Sequence, residues 1–244
     1  MVKHIFKNNK RFTLLFFSIL FLDIYVKLNC SAFPYRFISK PFVILLLIGY
    51  FYFNKVGSNY KKHLCVLLAL VCFLIGDLLN IYANYDNFIL LGFSLFFFSV
   101  AKIFLSMKFS HRKDFNVSRL IPFTLIMFVY TIFLIWFLYE DLGVFLTPAL
   151  ITFFLTLLMV QFAYLRQGAY SNKSYIYVFL GVILYAIEEG LFAVQIFKLS
   201  LPFQDFLIMF LYGAAVYFIV FGVINEKEYE QKQVEKFDNK INAL

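Results

Sequence analysis

Histidine is scarce in this chain, and its three copies are poorly placed to act together. His4, His63 and His111 fall in polar stretches between long apolar segments, never inside one. A catalytic zinc ion needs three protein ligands and an open position, and a Ser–His–Asp triad needs an imidazole beside its nucleophile. Neither can be assembled within the apolar segments, and no metal or other cofactor is called for. Cys30, Cys65 and Cys72 are odd in number and without ligand spacing, so they read as small buried hydrophobes. Charged residues make up only 15% of the chain, against about 25% in a soluble domain. The five prolines and ten glycines gather mostly at segment ends, so the mid-span helix breaks used by transporters are not signalled. A G-x-S-x-G elbow, a P-loop and a dinucleotide fingerprint are all missing.

What fills the chain instead is apolar: 63% of its 244 residues are hydrophobic, and mean hydropathy is +0.82. Eight runs, at about 12–28, 37–53, 64–83, 88–107, 119–139, 143–165, 174–197 and 203–224, come near the roughly 20 residues a transmembrane helix needs. The predicted fold class is all-α, a polytopic membrane helix bundle of about eight helices. Breakers separate the runs at Gly57-Ser58-Asn59, Asn84 to Asn87, Gly143, Ser171-Asn172 and Ser200 to Pro202. The first run follows Lys3, Lys7, Lys10 and Arg11 as a signal peptide would. It carries Asp23 and Lys27 and lacks a small-residue cleavage pattern before Cys30, so a retained helix is expected. The 36 Phe and 17 Tyr are assigned to lipid-facing and interfacial packing. One bundle over 1–225 and a charged tail over 226–244 account for the whole chain.

Basic residues set the expected orientation. With the N-terminus inside, the inner segments hold the Lys3–Arg11 cluster, Lys55, Lys61, Lys62, Lys108, Arg112, Lys113, Arg119, Arg166, Lys173 and the lysines of the tail. Only Lys27, Arg36, Lys40 and Lys198 fall outside, with Lys102 within a span. That bias predicts N-in, C-in topology. The net charge of +8 is thus a topology signal, and nucleic acid is not an expected partner. The tail alternates acid and base, with pairs such as Glu228 and Lys232, and reads as a solvated extension of the last helix.

Three acids stand inside the greasy runs: Asp77 in LVCFLIGDLLNIY, and Glu188 and Glu189 in GVILYAIEEGLFAV. A charge near the bilayer centre costs about 2.5–3.5 kcal/mol on insertion scales, so such residues usually face a bundle interior and carry function. Asn80 and Asn84 share a helix face with Asp77, and Gln195 shares one with Glu188. Lys40 opens the second run from the same side. One geometry satisfies these: a polar pocket in the outer half, lined by the first, second, third and seventh helices, with Lys40 partnering an acid. Adjacent glutamates diverge by about 100°, so one of the two is expected to face the pocket squarely. Asp23 is placed close enough to the interface for solvation to explain it. Lys102 needs a partner or a path toward the inner face. Two acids at one site, one holding a proton and one charged, are what a general acid and a stabilising carboxylate require.

Ser39-Lys40-Pro41, Gly76-Asp77-x-Leu79, Gly92-Phe93 and Gly181-xxx-Tyr185-xx-Glu188-Glu189-xx-Phe192-Ala193, in this order, resemble the YhhN family of multi-pass lysoplasmalogenases and their bacterial relatives. Lys40, Pro41, Gly76 and Asp77 match the family pattern outright, and Glu189 stands at its second acid. The family's usual His falls near Ser99 here, its Ser before the second acid is Glu188, and its late Gln is replaced by Val216. The resemblance implies a plasma (inner) membrane hydrolase acting on a membrane lipid or lysophospholipid. Its reaction would split the vinyl ether of a lysoplasmalogen into a fatty aldehyde and a glycerophospho-base. It makes Asp77, Glu189 and Glu188 the catalytic candidates, with Glu189 as proton donor and Asp77 as stabiliser or water-orienting base, or the reverse. Lys40, Asn80, Asn84, Tyr185 and Ser99 become the substrate-binding candidates. Intramembrane acids and lysines also suit a proton-linked transporter, and a non-catalytic lipid-binding protein is the third alternative.

Overall fold

The computed structural model describes residues 6–30, 35–54, 60–83, 87–110, 117–167 and 169–226. Its regular structure among those residues is helical: α1 Asn9–Asn29, α2 Tyr35–Asn54, α3 Tyr60–Tyr82, α4 Phe88–Phe109, α5 Val117–Leu142, α6 Leu146–Tyr164, α7 Asn172–Phe197 and α8 Gln204–Ile224. Polar residues open several of them. Asn8 caps α1, Asn87 caps α4 and Ser171 caps α7, each side chain accepting a backbone N–H that the first turn leaves unpaired. Pro41 lies inside α2 rather than at its start, because the helix already begins at Tyr35.

Seven helical runs are long and apolar enough to cross a membrane. One of them, Leu120–Tyr164, has 45 residues. At about 1.5 Å per residue such a run is roughly twice the thickness of a bilayer core. It is two spans. Gly143, at a φ of 48°, reverses the chain in a 3-10 turn at Gly143–Phe145. The Phe123 ring then stacks on Tyr164 with centroids 4.3 Å apart, which makes α5 and α6 antiparallel. The eight helices thus alternate in direction, as expected. Below, the end where α1 begins is the near end and the opposite one the far end.

Packing follows the small residues. Helices α7 and α8 make the closest pair. A Cβ on Gly181 would stand 2.8 Å from the Ala215 carbonyl oxygen, and one on Gly222 2.8 Å from the Val178 nitrogen. Such approaches let backbones meet where lipid offers no hydrophobic drive to association. They bring Tyr185 of α7 within 6.3 Å of Tyr212 of α8, ring to ring. Helices α3 and α4 form the second tight pair, tied by Ser94 Oγ donating to the Gly76 carbonyl at 2.9 Å. On the periphery, α5 leaves Ile126, Val129, Phe133 and Trp136 exposed, the surface of a lipid-facing helix.

Charge is buried at the near end. Glu226, just past α8, bonds Lys108 Nζ at 2.6 Å with one oxygen and Arg166 Nη2 at 2.6 Å with the other. Arg166 is fully buried in the turn after α6, its guanidinium 4.2 Å from the Tyr170 ring and 5.2 Å from Phe109. Ser174 Oγ accepts from Arg166 at 3.3 Å and donates to the Gly222 carbonyl at 2.7 Å. The expectation of a solvated tail from 226 onward is corrected at its first residue, since two buried cations draw Glu226 inward. The rest of the tail, 227–244, lies outside the described residues, as do His4 and His111.

Candidate active site

Between the far halves of the helices lies a cavity of about 360 Å³, lined by every helix except α5. The sequence pointed to α1, α2, α3 and α7; α4, α6 and α8 complete the ring with side chains such as Leu95, Phe153 and Met209. Those positions are apolar and look like any core residue in the sequence.

Asp77 is the deepest acid, 1% exposed, and both of its oxygens are engaged. Lys40 Nζ stands 2.9 Å from Oδ1, and the Tyr212 hydroxyl donates to Oδ2 at 2.9 Å. Lys40 is thereby held by α2 against α3 and α8. Asp23 does not reach the interface as expected: it is 2% exposed and accepts from Ser39 Oγ at 2.6 Å. Its face of α1 turns toward α2, which depth along the helix could not reveal.

A second ion pair lies on the other side. Glu189 is bound by Lys102 of α4 and by the Thr156 hydroxyl of α6, one on each oxygen. Lys102 is fully buried and also donates to the Thr152 carbonyl at 3.2 Å. Of the two readings of Lys102, a partner or a path toward the inner face, the structure shows the partner: the Glu189 carboxylate of α7 meets the ammonium where it stands. Ser99, expected to bind substrate, is 3.3 Å from the Thr152 hydroxyl and does not line the cavity. Thr152 and Thr156 gave no signal, because a threonine in an apolar helix usually bonds its own i−4 carbonyl, as these also do.

Glu188 differs from both. It lines the cavity and is buried, yet its side chain makes no hydrogen bond and no ion pair among the described residues. It lies close enough to feel the charges of Glu189, Lys40, Lys102 and Asp77. The divergence of adjacent helix positions sends Glu189 to α4 and α6 and leaves Glu188 open to the cavity. Asn80 and Tyr185 also line it. Asn84 lies outside the described residues. At the mouth, Lys27 stands 3.6 Å from Asp205, which accepts from Gln195 at 2.9 Å, and Arg36 lines the rim nearby.

Fold and site together define a class: a multi-pass integral membrane protein with a far-end cavity, flanked by two carboxylate–lysine pairs around a glutamate whose side chain has no partner among the described residues. Residues 35–223 match the YhhN family, and the chain belongs to it. No curated protein and no solved structure matches the chain.

Proposed function

We propose that the cavity hydrolyses the vinyl ether of a lysoplasmalogen-like lipid in the plasma (inner) membrane, with Glu188 as proton donor. The observation that carries this reading is the contrast among the acids. Asp77 and Glu189 are each held by an ammonium, while Glu188 lines the cavity with no partner among the described residues. A donor must be near its substrate and free to part with its proton. The role given to Glu189 from sequence therefore moves one residue, to Glu188.

The reaction needs little else. Glu188 protonates the outer carbon of the vinyl group, leaving an oxocarbenium cation at the carbon bonded to the ether oxygen. Asp77 steadies that cation, as the second carboxylate of a glycosidase does. Water attacks the cationic carbon and returns a proton to Glu188. The resulting hemiacetal breaks its bond to the glycerol oxygen, releasing a fatty aldehyde and a glycerol hydroxyl. Lys40 and Tyr212 fix Asp77 against α2 and α8. With the N-terminus inside, as the basic residues predict, the cavity opens outward.

The test is aldehyde release from a lysoplasmalogen by the purified protein, with Asp77→Asn as control. Release that vanishes in a folded variant supports the assignment; release that persists overturns the role of Asp77. A folded wild-type protein that binds lysolipid without releasing aldehyde is a lipid-binding protein instead.

A further inference from the structure

The acids that line the cavity outnumber the cations that serve them. Asp23, Asp77, Glu188, Glu189 and Asp205 face it, against Lys27, Arg36 and Lys40, with Lys102 reaching Glu189 from outside the lining. Each of these cations is engaged. Lys40 holds Asp77, Lys102 holds Glu189, and Lys27 stands 3.6 Å from Asp205. Arg36 is engaged as well and lies within the field of Asp23, which Ser39 also serves. What remains is Glu188, 8% exposed, lining the cavity with no side-chain partner among the described residues. A buried carboxylate persists as an anion only with a cation beside it. The surplus acid therefore selects the sign of a ligand: an anion is repelled, and a cation completes the count.

The surroundings of Glu188 suit an organic cation. Among the described residues, no three His, Cys, Asp or Glu side chains converge as a metal site requires. Tyr185, one turn before Glu188 on α7, and Phe192, one turn after it, both line the cavity. Aromatic faces attract ammonium groups, and rings of this cavity already do so. Lys102 Nζ stands 5.6 Å from the Tyr185 centroid, and Lys40 Nζ 5.6 Å from that of Tyr212. Leu91, Ala149, Phe153 and Ala193 belong to the second apolar core cluster and make a greasy wall. A volume of about 360 Å³ is within the range of pockets that enclose a small ligand.

We infer that the cavity binds a long-chain primary amine, its ammonium paired with Glu188 and its alkyl tail along the wall of Leu91 and Phe153. The inference rests on the cavity being a site for a single-chain lipid, as proposed above, but not on turnover there. Protons balance: the amine enters as ammonium, and the proton that Glu188 holds as donor leaves to solvent. The bound pair is then ammonium and carboxylate. Such an amine carries permanently the positive charge that a vinyl ether acquires only on protonation. It therefore competes with the lipid ether and removes the proton the reaction uses.

The experiment measures binding to the purified full-length chain in phosphatidylcholine nanodiscs, corrected for partition into protein-free discs. Three probes share one tail: dodecylamine, dodecanol and dodecanoate. The amine is expected to bind at least about tenfold more tightly than the alcohol, and the carboxylate no better than the alcohol. Glu188→Gln keeps the shape of the side chain and removes its charge. It should weaken the amine by at least about tenfold and leave the alcohol within about twofold. Asp205→Asn, at a rim position 40% exposed, should change the amine by no more than about threefold. Unchanged amine affinity in Glu188→Gln overturns the proposal. So does a larger loss in Asp205→Asn, which would put the ammonium at the rim. If Glu188→Gln does not fold, the order of the three probes on the wild-type chain decides, and dodecanoate binding as tightly as dodecylamine overturns the proposal. Aldehyde release is read separately. Amine binding without release leaves this site standing and removes the hydrolase, and release without amine binding does the reverse.

Discussion

At the near end, Glu226 takes Lys108 and Arg166 on its two oxygens, each at 2.6 Å. At the far end, Glu188 is buried against a cavity and takes nothing among the described residues. Both are acids surrounded by apolar helices, and burial alone does not tell them apart. The difference is completion. The near-end carboxylate is satisfied by cations from α4 and from the turn after α6, where it locks the ends of three helices together. The far-end acid keeps its capacity for a proton and has space beside it for a reacting atom. A carboxylate engaged by two cations away from any cavity has a holding role to explain it, whereas an acid without a side-chain partner beside a cavity is a candidate for proton transfer.

The strongest way to break that comparison is to neutralise the two acids separately. Glu188→Gln should reduce aldehyde release about a thousandfold, the range of a lost general acid, while leaving the melting temperature nearly where it was. A stability loss as large as the activity loss would make Glu188 a structural residue like its near-end counterpart.

Glu226→Gln should give the mirror image. Removing one partner of a buried ion pair leaves uncompensated charge and costs about 3–5 kcal/mol, or roughly 10 °C in melting temperature for a chain of this size. Turnover per folded molecule should stay near wild type. A pH series sharpens the point. Burial works to raise the Glu226 carboxyl, but Arg166 and Lys108 outweigh it and hold it below its ordinary range. A group held low in the folded state contributes stability above its unfolded value of about 4.3 and loses it as pH falls through the folded value. The melting gap between wild type and Glu226→Gln should therefore be widest near neutrality and close on acidification below that point. A gap constant across the series would mean that the carboxylate charge is not what Glu226 contributes.

Much of this arrangement was legible in the sequence, for reasons that differ by residue. Hydrophobic run length gave eight spans, including the pair that Gly143 separates. That Lys40 would partner one of the acids was legible because it opens its run on the side where they lie, but which acid it meets was not. Lateral placement was not legible. Whether Asp23 faces a neighbouring helix or solvent depends on how α1 rotates against α2, and no residue of α1 encodes that by itself. Lys102 and Glu189 come from helices far apart in the chain, and their meeting rests on how α4 and α7 sit against α6. Glu226 looked like the start of a solvated tail because its partners, Lys108 and Arg166, read as topology signals.

Tyr212 offers the finest test, because it touches the far-end site without carrying its charge. Its hydroxyl donates to Asp77 Oδ2 at 2.9 Å, and its ring lies under Lys40 Nζ at 5.6 Å. Tyr212→Phe keeps the ring and removes one donor, leaving the Lys40 contact in place. Loss of a hydrogen bond to a charged group is worth about 1.5–3 kcal/mol. If Asp77 acts by holding charge against the transition state, that loss should appear mainly in kcat, as a reduction of about tenfold, with KM nearly unchanged. If Asp77 serves only to hold α3 against α8, the same substitution should lower the melting temperature and leave kcat alone. The far-end pair would then belong with the near-end cluster, and Glu188 alone would separate the two ends.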